Sequence, residues 1–90
     1  MHITLQPSDS LVGSLCREID RLRCRWRQVR ADQAHCQEEG LGRRLAAELL
    51  QLQQRRLELQ AAARELQSRG LNDRLGLDFL SELTSRPLAC

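Results

Sequence analysis

Gln37-Glu38-Glu39-Gly40-Leu41-Gly42-Arg43-Arg44 (residues 37–44) is the stretch on which the fold turns. Between Gly13 and Gly70 it holds the only glycines, and no proline stands between Pro7 and Pro87. Gly40 suits the left-handed residue that closes a helix, so a turn is predicted at 40–42.

Outward from that break, each side carries an apolar stripe at helical spacing. Upstream it runs Val12, Leu15, Ile19, Leu22, Trp26, Val29, Gln33, Cys36, in alternating steps of three and four. Downstream it runs Leu45, Leu49, Leu52, Arg56, Leu59, Ala63, Leu66, again without a slip. Such steps keep every member on one narrow face and favour the knobs-into-holes packing of a coiled coil. Folding at 40–42 brings Leu22 level with Leu59 and Leu15 level with Leu66. A short connection also favours antiparallel neighbours. Arg56, which interrupts the second stripe, is expected either over the face of Trp26 as a cation–π pair or with its stem on the core and its head in water.

Composition agrees with this pattern. Leucine supplies 18 of the 90 residues, with one Phe, one Trp and no Tyr, so any core is leucine-built and a sheet is disfavoured. The expected fold is all-α: a long antiparallel helical hairpin plus a short C-terminal helix. In chain order, residues 1–7 are expected as an extended tail and 8–69 as the hairpin, with Ser8 or Ser10 capping its first helix. Residues 70–85 follow as the short helix, with Asn72 as cap and Pro87 just beyond its end, and 86–90 as a tail.

The second helix has a further apolar row, Ala46, Leu50, Leu57 and Ala61, which one partner helix cannot cover. A third helix of ~12 residues spans about 18 Å at 1.5 Å per residue, far less than the second helix. A second copy of the chain is therefore expected to complete a four-helix bundle with two-fold symmetry.

Chemistry-bearing motifs are few. His35-Cys36 is the one His/Cys neighbourhood, and no second ligand pair stands at helical spacing, so no metal site is expected. No base and orienting group accompany a Ser or Cys, so no catalytic residue and no cofactor-binding residue can be assigned. Glu18 with Arg21 and Glu48 with Arg44 or Gln51 read as solvated helix pairs rather than acid/base couples. Gly40-Leu41-Gly42 follows a helix, not a strand, which removes the dinucleotide and P-loop readings. The four cysteines, 16, 24, 36 and 90, form no C-x-x-C pair. Cys36 is expected buried and Cys24 exposed. With no signal-peptide pattern in residues 1–7 and no apolar run long enough for a membrane, a reducing cytoplasm is the expected setting.

All 14 basic residues are Arg against 12 acidic ones, a net charge of +2. Residues 17–30 hold six of the Arg, and Arg23, Arg27 and Arg30 share one shoulder of the first helix. Two function classes follow. The first is a small protein–protein interaction module, an adaptor, small chaperone or regulator, acting as a helical homodimer. Its partner-binding residues would be Leu50 and Leu57 on the second helix and Leu75, Phe79, Leu80 and Leu83 on the third, the last four spaced as in a groove-binding helix. The alternative is an RNA- or DNA-binding bundle using Arg23, Arg27 and Arg30 on phosphates. An exposed apolar patch favours the first and a contiguous Arg stripe the second.

Overall fold

The computed structural model describes residues 7–70 and 74–88, with side chains from residue 11 onward. Those residues form three helices and no strand: α1 (Pro7–His35), α2 (Glu39–Ser68) and α3 (Arg74–Ser85). The all-α hairpin with a short third helix is therefore the architecture of the chain.

α1 is helical from the first described residue, Pro7. Ser8 and Ser10 lie inside the helix rather than capping it, and residues 1–6 of the expected tail lie outside the described residues. The Asn72 cap, His2 and Cys90 lie outside the described residues.

The connection between α1 and α2 is residues 36–38, not the glycines. Glu38 takes the extended conformation of an N-cap (φ −89°, ψ 126°) and its carbonyl accepts from the Gly42 N–H at 2.9 Å, so Gly40 and Gly42 sit in the first turn of α2. Neither has a positive φ; Gly70 (φ +66°) is the one glycine among the described residues that does, and it ends α2. Its N–H donates to the Gln67 carbonyl at 3.2 Å, closing the last turn as a left-handed glycine does. The glycine pair misled because glycine frequency marks turns without saying on which side of the turn the helix resumes. At 36–38 the Cys36 thiol satisfies the Glu38 carbonyl at 3.2 Å and the Cys36 N–H satisfies the Gln33 carbonyl, so the chain reverses without glycine.

Both stripes face inward as expected, but moving the centre of the turn from residue 41 to residue 37 shifts the level partners by about eight residues, roughly two helical turns. Ile19, not Leu22, shares a fully buried cluster with Leu59, although Leu22 packs against it. Val12 meets Leu66, and Val29 meets Leu45 and Leu49. Two inter-helix ion pairs fit this register. Arg25 meets Glu48 through two hydrogen bonds of 3.0 and 2.9 Å. Arg55 grips both oxygens of Glu18 and also bonds Glu58. The expected partners of these carboxylates were on their own helices; the observed ones are across the hairpin. The two pairs stand seven residues apart on each helix with their signs reversed. Sliding the helices by seven residues one way sets Arg25 against Arg55, and the other way Glu18 against Glu48. Like charges thus oppose both slips, which is how paired flanking charges select a register.

α3 docks on the open half of the hairpin, antiparallel to α2. Leu77 packs with Val12 and Leu66 near its start, and Leu83 and Leu88 pack with Ile19 and Leu59 near its end. Residues 86–88 are consequently not a loose tail, since Leu88 is fully buried. With ~18 Å of length against ~45 Å for α2, α3 leaves the turn half of the hairpin as two helices only. The radius of gyration, 16.0 Å, exceeds the ~12 Å of a compact 90-residue domain for this reason.

Candidate interaction surface

The outer face of α2 is made by residues whose helical phase turns them away from both neighbours. α2 meets α1 through Leu45, Leu49, Leu59 and the ion pairs of Glu48 and Arg55. It meets α3 through Arg56, Leu66 and Gln67. At 100° per residue, Arg43, Ala46, Leu50, Gln54, Leu57, Ala61 and Glu65 lie on the side opposite this buried arc. Leu50 is 73% exposed and Leu57 44%, and Ala46, Ala47 and Ala61 are exposed beside them. A shallow depression runs along Leu50, lined also by Gln51, Gln54, Arg55 and Glu58. Water touching this row costs free energy that a covering surface would recover, at roughly 25 cal/mol per Å² of apolar area.

The four residues expected to bind from α3 divide in two. Leu75 (86% exposed) and Phe79 point outward, whereas Leu80 is fully buried and Leu83 half-buried against the hairpin. Helix geometry explains the split: Leu75 and Phe79 are 40° apart around the axis, while Leu80 is 140° from Leu75. The third helix therefore uses its more continuous face to cover the molecule's own core. Only Leu75 and Phe79 of the four remain for another surface.

The arginine shoulder is also divided. Arg23 donates to the carbonyls of Leu83 and Pro87, both at 2.9 Å. From the other helix, Arg56 donates to the Thr84 carbonyl at 2.7 Å and to Gln53 Oε1 at 3.3 Å. Two guanidiniums from α1 and α2 thus converge on the C-terminal end of α3, where helix carbonyls lack partners and carry partial negative charge. Arg56 is only 8% exposed, so its head is not in water as one sequence expectation had it. Arg27 and Arg30 stay exposed, Arg30 bonding Gln33 Oε1. A clue to the clamp was present in the sequence: an arginine on an apolar stripe, and a short helix ending at Ser85-Arg86-Pro87 without glycine.

Among the described residues no group of three or more His, Cys, Asp or Glu side chains is placed to hold a metal ion. No described helix is long and apolar enough to cross a membrane. Cys24 is exposed as expected, while Cys36 is half-buried rather than buried because it sits in the turn. The Arg55 hydrogen bonds hold the Glu18 carboxyl below its ordinary range, and partial burial opposes them. Arg25 and Arg55 shift upward through their bonds to Glu48 and Glu18. Both pairs join α1 to α2.

No protein-family model matches the chain, and no curated protein and no solved structure matches it either.

Proposed function

We propose that the chain is a small, non-enzymatic protein–protein interaction module, an adaptor, small chaperone or regulator, that works in a reducing cytoplasm as a helical homodimer. The observation that carries this is the outer row of α2, where Leu50 and Leu57 stand exposed at helical spacing among small residues. A helix whose second apolar face is left in water after the intramolecular core is complete is suited to a further helix. Leu75 and Phe79 on α3 offer a second apolar spot.

The RNA- or DNA-binding alternative is the weaker one. Of its three residues, Arg23 is engaged on the carbonyls of Leu83 and Pro87, and freeing it would unclamp α3. A phosphate-tracking stripe needs several unengaged cations along one face.

The interaction reading is tested by placing a photo-crosslinking residue at position 50 in the full chain and irradiating in native lysate, with and without nuclease. Crosslinks that a Leu57→Glu change abolishes, and that nuclease leaves intact, are the expected result. An absence of crosslinks from position 50, together with a 10.3 kDa monomer in solution, refutes the reading.

A further inference from the structure

We infer that the outer face of α2 receives the same face of a second copy, laid antiparallel with its two-fold axis at Gln54. This rests on the interaction reading above and specifies its occupant. The argument is the order of residues along the row. From Gln54 outward, Leu50 and Leu57 lie at nearly equal distances, then Ala47 and Ala61, then Arg43 and Glu65. A two-fold axis demands that a surface be complementary to its own reversal. In the antiparallel pair Leu50 meets the second copy's Leu57, and each Arg43 meets the other copy's Glu65. A parallel pair would set Arg43 against Arg43 and Glu65 against Glu65, so charge selects the direction. Flank geometry agrees, because Arg43 and Glu65 lie about 40° apart on the same side of the row, the side that faces its equivalent across an antiparallel contact. Arg43 and Glu65 are both exposed; Glu65 also bonds Arg69, which extends the charge network without burying it.

The small residues Ala46, Ala47 and Ala61 let two helix axes approach to about 8 Å, the short end of the usual range. Among the described residues, α1 and α3 both pack on the opposite arc of α2 and leave this approach open. From Arg43 to Glu65 the contact is ~33 Å long, and with a helix ~10 Å across it covers on the order of 350 Å² per copy. That is below the ~800 Å² per partner of stable complexes. The dimer is therefore expected at micromolar concentration and is expected to weaken as salt is raised.

Sedimentation equilibrium on the purified full chain at low salt, over a micromolar range, tests this. Expected are a monomer–dimer equilibrium, a Kd about tenfold weaker for Arg43→Glu or Glu65→Arg alone, and near-wild-type Kd for the two together, because the double change restores both contacts. Circular dichroism of each variant checks that the helices persist. A dimer indifferent to both single changes, or not rescued by the double change, overturns the antiparallel α2 pairing. A monomer throughout overturns the second copy as occupant. If position 50 then still crosslinks to a different protein in lysate, the interaction reading survives its failure; if it does not, both fall.

Discussion

Replacing Gly40 and Gly42 by alanine distinguishes the two possible positions of the hairpin turn by the sign of the effect. If the glycines made the turn, a Cβ at a left-handed residue would cost roughly 1–2 kcal/mol. In the structure both lie in the first turn of α2 with ordinary negative φ. A Cβ at Gly42 would meet the Cys36 Sγ at 3.9 Å, and one at Gly40 the Glu38 Oε1 at 3.6 Å, ordinary contacts in both cases. What remains is the entropy that glycine loses on entering a helix, roughly 0.5–1 kcal/mol relative to alanine, less at a frayed first turn. Together the two changes should stabilise by about 1 kcal/mol, raising the Tm by roughly 4–8 °C for a chain of this size. Gly70→Ala is the opposite control: its φ of +66° means a Cβ is strained whatever space surrounds it, and a loss of about 1 kcal/mol is expected. Thermal melts followed by circular dichroism at one fixed protein concentration measure all three, since self-association makes Tm concentration-dependent. Destabilisation by Gly42→Ala, with Gly70→Ala neutral, would refute the placement of the turn at 36–38.

Arg56→Ala removes a buried guanidinium from the Thr84 carbonyl and leaves a void, so a loss of about 2–4 kcal/mol in urea unfolding is expected; Arg56→Met keeps the stem and should lose about half of that. Equal stability of Arg56→Met and wild type would remove the clamp from the account of α3. Arg23→Ala should speed amide exchange in the last turn of α3 with little effect on α1, because its two bonds end on Leu83 and Pro87. The Glu18 carboxyl is held down by Arg55, so its contribution is complete above the unfolded value near 4.5 and is lost as pH falls through the lower folded value. Glu18→Gln should flatten the stability–pH curve in that acid window alone, and by a small amount, since the pair is partly exposed. An unchanged curve would show the pair to be silent.

Much of the fold was legible because helical periodicity is local. Seven of the eight α1 stripe residues, Val12 to Gln33, fall inside α1, and those of α2 fall inside α2, all of them buried or half-buried, because a three–four spacing allows only one inward face. The exposed Leu50 and Leu57 were legible for the same reason: they belong to a second phase on the same helix. α3 was harder. Its apolar residues spread around more than half its circumference, and only the hairpin beneath it settles that Leu77 and Leu80 turn in while Leu75 and Phe79 stay out.

The amino-acid sequence by itself determined three helices, the inward faces of α1 and α2 and the reversal of the chain, since these follow from spacing along one strand of backbone. The tertiary structure alone decided the register and the roles of the arginines. Register depends on which charges meet across the gap, Arg25 with Glu48 and Arg55 with Glu18, and that is a comparison between distant segments. An arginine on a helix shoulder carries the same charge whether it faces solvent or a neighbour's carbonyls. Only the arrival of α3, with its unpaired C-terminal carbonyls, made Arg23 and Arg56 part of the fold.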